Sequence, residues 1–172
     1  MIPSIRSRHA ALAAVAALSV LCGCALRPYE PTRVHPGDTR AAVEATMGPP
    51  TAVYALADGR QRLEYNHQPA GLQTYMIDLG PDGRVASWEQ VLDENHFATI
   101  AAGMTEQDVL QRLGPPAERG RYAHPVESRT WTYRWQSPLP CVVFVISFDA
   151  ATGRVLEPGS YPPDRRCGPI RA

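Results

Sequence analysis

Apolar residues recur at helical spacing in two stretches that share their wording. In "GMTEQDVLQRLGPPAERG", starting at Gly103, Val109, Leu110 and Leu113 form a stripe, with Met104 just before the helix start. Thr105 is a natural N-cap, and Asp108 stands where a capping box needs an acceptor. Glu106 and Asp108 also suit the positive end of the helix dipole. Gly114 ends the helix, and Pro115 and Pro116 cannot continue it. The stretch "GDTRAAVEATMGPPTAVY", starting at Gly37, repeats the plan: Thr39 caps, Val43 and Met47 line the stripe, and Gly48, Pro49 and Pro50 stop it. Ala42 stands where the other copy has Asp108, so this cap is weaker.

Period-two alternation follows each helix. "RQRLEYNHQ" corresponds to "SRTWTYRWQ", with Leu63 and Tyr65 matching Trp131 and Tyr133. Alternation puts Trp131, Tyr133 and Trp135 on one face and Thr132 and Arg134 on the other. Next, "LQTYMIDLGPDGRV" corresponds to "CVVFVISFDAATGRV", and Tyr75, Ile77 and Leu79 match Phe144, Ile146 and Phe148. The glycine-containing turns lead into a third strand, at Arg84 in the first half and at Arg154 in the second, where Pro158 cuts it short. "DENHFATIAAG" reads as a linking helix with Phe97 and Ile100 inward. These patterns predict an α+β fold: tandem helix–meander units sharing one antiparallel sheet, with the helices on one face. The units span 34–92 and 93–172, and the second carries a C-terminal tail.

The 172 residues carry no formal net charge, which points to neither nucleic acid nor a strongly charged partner. Lysine is absent, and the arginines are scattered rather than gathered into a phosphate-binding face. The N-terminus changes the picture. Arg6 and Arg8 precede the short apolar run "AALAAVAALSVL", which has the form of an export signal and is shorter than the roughly 20 residues of a membrane span. In "LCGC", Leu21 stands three before Cys24 and Gly23 directly before it, the pattern of a bacterial lipobox. Cys22 fits that pattern worse, and an ordinary secretory signal is the alternative. On the lipobox reading, 1–23 is removed, Cys24 carries lipid, and 24–33 is a proline-containing tether. Each buried acyl CH₂ contributes about 0.8 kcal/mol, so several chains anchor firmly. Ala25 in place of aspartate suggests the outer membrane, on its periplasmic face. Export favours a disulfide between Cys141 and Cys167 over a metal site or a nucleophile. It would staple the tail and contribute about 3 kcal/mol.

The ordered set "IAAGMTEQDVLQRLGPP", "RTWTYRW" and "VFVISFDAATGRV" resembles the BamE (SmpA/OmlA) lipoprotein domain, which has two helices and a three-stranded antiparallel sheet. The second half covers the whole pattern. The first is more diverged: Asp38 replaces Met104, Met47 replaces Leu113, and no first helix precedes Pro36. The doubling also resembles the β-lactamase-inhibitor-protein architecture, whose open sheet face binds a partner protein. The resemblance implies a lipid-anchored, non-catalytic module that binds an envelope protein, with the β-barrel assembly machinery as one candidate. BamE itself is a single unit, so only a BamE-like role carries over. Two alternatives are an inhibitor or regulator of a periplasmic enzyme and a lipoprotein binding lipid or a small ligand.

Catalytic chemistry finds little support. His35, His67, His96 and His124 lack metal-ligand spacing, and neither a nucleophile elbow nor a Walker loop occurs. Neither cofactor nor metal is expected, and Glu127 near Arg129 reads as a surface pair. The candidate interaction residues are Thr132 and Arg134, opposite the aromatic face, and Trp88. Trp88 is out of phase with Val85, so it is either an exposed anchor or packed beneath the C-terminal tail.

Overall fold

The computed structural model describes residues 31–123 and 127–166. The export signal, Cys22, Cys24, His124 and Cys167 lie outside the described residues, as does most of the tether. The last three tether positions, Pro31–Arg33, form a 3-10 turn with Pro31 buried, so the compact structure begins earlier than the sequence pattern predicts. Helix α1 (Arg40–Met47) follows, then β1 (Ala52–Ala55), β2 (Gln61–Asn66), β3 (Thr74–Leu79) and β4 (Val85–Gln90). The short α2 (Glu94–Phe97) and α3 (Glu106–Leu113) lead to β5 (Glu118–Tyr122), β6 (Ser128–Arg134) and β7 (Val143–Asp149). Among the described residues no helix is long and apolar enough to cross a membrane.

Local chemistry sets the helix ends as expected. Thr105 and Asp108 form a complete capping box, whereas Thr39 accepts only from Ala42 N at 3.3 Å. Gly48 and Gly114 close the two helices at φ 85° and 73°, where a side chain would be strained. Each stop is held by a tyrosine: Tyr65 Oη donates to Gly48 O at 3.1 Å, and Tyr133 Oη donates to Gly114 O at 2.9 Å. The helix entries correspond as well. Gly37 N donates to Val85 O and Val85 N to Asp38 O, while Gly103 N donates to Val155 O and Val155 N to Met104 O, all at 2.8 Å. Arg84 Nη1 donates to Gly37 O and Arg154 Nη1 to Gly103 O, at 2.8 and 2.7 Å.

The architecture is α+β with two antiparallel sheets, one of order β1-β2-β3-β4 and one of order β5-β6-β7. The single shared sheet expected from the sequence does not form. The halves meet through a sheet face instead: Met76, Val91 and Leu92 from the first half join Val109, Leu113, Trp131, Tyr133 and Phe144 in one buried cluster. Nor do the helices share one face. Val43 and Met47 of α1 pack against Leu63, Tyr65, Ile77 and Leu79. The C-terminal end of α3 lies against the opposite face of the same sheet, where Arg62 Nη1 donates to Gln111 O at 2.9 Å and Asn66 Nδ2 donates to Pro115 O at 2.8 Å. A face that carries donors for a helix end is satisfied by that end, and a shared edge would leave them unpaired.

Each predicted meander gains a strand, β1 or β5, along its first edge. In the second half the third strand is replaced by isolated bridges that lay the tail along β7. Leu156 N donates to Ser147 O, Ser160 and Val145 exchange both bonds, and Val143 N donates to Pro162 O. Gly159 in this segment lies so close to the Phe144 ring that a side chain has no room. Phe97 and Ile100 are buried, as the linking helix required.

Candidate docking face on the second sheet

The two sheets differ in what covers their polar faces. On the first, Arg62, Glu64 and Asn66 of β2 share a face with Thr74, Met76 and Asp78 of β3. This face is filled from within the chain. Arg62 forms a bidentate pair with Asp78, at 2.6 and 2.8 Å, while also holding the α3 carbonyl. Glu64 is fully buried and accepts from Thr51 Oγ1 and Tyr54 Oη, each at 2.6 Å. Burial, followed by the hydrogen bond to the Glu64 carboxylate, pushes the Tyr54 hydroxyl far above its ordinary pKa. Tyr54 therefore stays a neutral donor, which a buried carboxylate requires.

The matching face of the second sheet is built from short residues. Ser128, Thr130 and Thr132 of β6 stand beside Ser147 and Val145 of β7, and Gly120 of β5 leaves room for the Thr130 hydroxyl. These residues floor an open groove of about 760 Å³. None of the four floor hydroxyls has a hydrogen-bond partner among the described residues. Tyr122 and Leu156, 49% and 41% exposed, stand on the rim, where an apolar partner surface would meet them. At one end Arg166 Nη2 reaches Glu118 Oε2 at 2.9 Å and ties the tail to β5. The opposite face is packed: Trp131 leans on Phe148, and the Arg119 guanidinium caps Trp131 at 5.0 Å.

Thr132 thus lies on the groove floor, but Arg134 is a brace. Its main chain exchanges bonds with the Gln68 side chain, at 2.6 and 3.3 Å, and its guanidinium reaches Pro69 O and, at 3.8 Å, Asp164. Trp88 belongs to the other sheet. A register shift between Asp78 and Leu79 puts Val85 and Trp88 on the same face, so the phase argument that set Trp88 apart fails. The ring lies edge-on to Tyr75, and its N–H donates to Val34 O at 3.1 Å. It packs beneath the N-terminal segment, not the C-terminal tail. Arg129 pairs with Glu106 at 2.8 Å rather than with Glu127. Cys141 is disulfide-bonded, and its partner lies outside the described residues. Sequence reasoning missed Ser128, Thr130 and Ser147, although the alternation that exposed Thr132 points to them too.

No family model matches the chain, and no curated protein matches it. Among solved structures, an extracellular SCP-domain protein from Bacillus anthracis is similar at 14% identity and a TM-score of 0.28, over 75% of this chain and 44% of that one. A cysteine-rich secretory protein from Staphylococcus aureus is similar at 9% identity and a TM-score of 0.28, over 81% of this chain and 49% of that one. The chain spans less than half the length of either. A likeness at that level carries no argument about fold or function.

Proposed function

We propose that the protein is a lipid-anchored module of the cell envelope that binds a partner protein and catalyses nothing. The observation that carries this reading is the open groove on the polar face of the second sheet, set against the filled face of the first. The duplicated hydrogen bonds at the helix entries and stops support two tandem BamE-like units, 34–92 and 93–172. The second unit covers the face of the first, and the partner covers the face of the second. Cys24 carries the lipid, and the site of action is the periplasmic face of the outer membrane. The β-barrel assembly machinery is the first candidate partner. The groove floor carries hydroxyls, which supports a partner with polar main-chain groups over a lipid acyl chain.

Affinity purification of the tagged full chain from detergent-solubilised envelopes tests the reading. Wild type is expected to recover an envelope protein that Thr132→Arg, with its long side chain in the groove, does not. Identical recovery by both would remove the face from consideration. A partner outside the barrel-assembly machinery would reject that candidate only.

A further inference from the structure

Resting on the reading of the second sheet's face as a docking site, we infer that the disulfide of Cys141 closes with Cys167 and clasps the C-terminal tail, so that a dithiol reductant takes down one wall of the groove. Cys141 is disulfide-bonded, and its partner lies outside the described residues. The tail is described as far as Arg166, and Cys167 is the next residue of the chain. Asp164 N donates to Cys141 O at 2.6 Å, so the two main chains touch three residues before Cys167. Three extended residues reach about 10 Å, enough to meet the separation of roughly 5.5 Å between Cα atoms that a disulfide needs. Cys22 and Cys24 instead precede Val34, which packs in the core of the first sheet.

The tail has little else to hold it. Of residues 156–166, all of them described, none is buried. Pro158, Pro162 and Pro163 have no N–H to give. The main-chain bonds to β7 come from isolated bridges, and the pair between Arg166 and Glu118 is exposed. A segment with so few buried contacts opens readily. A disulfide stabilises mainly by restricting the open state, so its loss frees the segment that buries least. Beneath the tail lies a cluster of rings. Gly159 sits on Phe144, and the Tyr161 ring centre lies 5.2 Å from that of Phe144 and 6.2 Å from that of Trp135. Trp135 Nε1 is buried without a hydrogen-bond partner among the described residues, and opening gives it water. Leu156, Pro162, Pro163 and Arg166 stand along the groove, so a lifted tail leaves it open on that side. In the reductive step, one thiolate of the dithiol attacks a disulfide sulfur and forms a mixed disulfide. Its second thiolate then displaces the chain's sulfur. The dithiol leaves as a disulfide, and its two electrons and two protons pass to Cys141 and Cys167, which become thiols.

The purified full chain in detergent, oxidised or treated with dithiothreitol, is digested briefly with proteinase K, and the fragments are mapped by mass spectrometry. The oxidised chain is expected to yield a peptide pair linked through Cys141 and Cys167. Reduction is expected to speed cleavage within 156–166 about tenfold or more while the circular dichroism spectrum is kept. Cys141→Ser with Cys167→Ser is expected to be cut at the fast rate with or without dithiothreitol. In the envelope purification, that double variant is expected to recover the partner about fivefold less than wild type, because half of a shaped groove is gone. Cys141 linked to another cysteine, equal cleavage before and after reduction, or loss of the whole spectrum on reduction would each overturn the clasp. Fast tail cleavage with undiminished partner recovery would overturn its hold on the docking face. An oxidised chain that recovers no partner, while its tail still responds to reduction, would reject the docking reading and uphold the clasp.

Discussion

The indole N–H of Trp88 donates to the main-chain carbonyl of Val34 across 3.1 Å, which fastens the last strand of the first sheet to the segment entering the fold. Trp88 is 38% exposed, yet its ring packs edge-on against Tyr75. Through these contacts it holds the entry segment. Trp88→Ala is expected to lower the unfolding free energy by about 2 kcal/mol in urea denaturation. Trp88→Phe, which loses mainly the hydrogen bond, is expected to cost about 1 kcal/mol. Neither is expected to change partner recovery, and loss of the partner in a stably folded Trp88→Phe chain would restore Trp88 as an interface residue.

Arg62 links both halves of the chain, since it pairs with Asp78 and holds the carbonyl of Gln111. Arg62→Ala leaves a half-buried carboxylate and a helix-end carbonyl without their donor. A loss of about 3 kcal/mol is expected, by denaturant titration. Arg62→Lys is expected to recover little of it, because one ammonium cannot match the planar fork. Full recovery by lysine would show that charge alone matters here.

Gly159→Ala tests how the tail is seated. The added methyl would collide with the Phe144 ring, which itself stacks on Phe97 at 4.1 Å and has no slack to yield. The tail is expected to lift from β7, with stability reduced by about 2 kcal/mol. Limited proteolysis between 155 and 166 reads this directly. Cleavage at the wild-type rate would mean that the backbone shifts instead.

His96 gives the protein a pH-dependent contact. Its Nδ1 lies 2.9 Å from Asp93 and its Nε2 3.2 Å from Glu89. Partial burial pulls its pKa down, but the two carboxylates outweigh burial and set it above the ordinary histidine value. A raised folded pKa stabilises fully below the unfolded value, near 6.5, and that gain is lost as pH rises through the folded one. Burial pushes the Asp93 carboxyl up, and its bonds to His96 outweigh that and hold it low, so its own gain fades only as pH falls into the acid range. The stability advantage of wild type over His96→Gln is therefore expected to be full below about pH 6.5 and to shrink as pH rises through the raised folded value. Parallel curves across that range would rule the contact out as a titrating one.

Helix caps and stops were legible in the sequence because they are local: Thr105, Asp108 and Gly114 act within one turn of the residues they satisfy. The groove was half legible, since "SRTWTYR" announces its alternation but not which face the rest of the chain leaves open. Strands β1 and β5 escaped notice for a related reason. "ERGRY" has no apolar alternation of its own, and β6 holds it in place. The phase of Trp88, though not its exposure, was misread because a bulge resets the count of two, and nothing between Val85 and Trp88 marks one. Glu64 was invisible as a buried carboxylate, because its donors Thr51 and Tyr54 come from a separate strand edge.

The filled face of the first sheet gives the molecule a valence. One polar face is spent inside the chain on the end of α3, and among the described residues the second sheet's face carries the open groove. On the proposed reading, a chain built this way would hold one partner through its groove and would not bridge two by the same contact. A complex assembled on that face is expected to have one copy of each component. Cutting the chain between 92 and 93 would not simplify it, because Arg62 and Asn66 of the first half would then lose the carbonyls of Gln111 and Pro115 and form a second open face. The isolated halves should each be more adhesive than the intact chain.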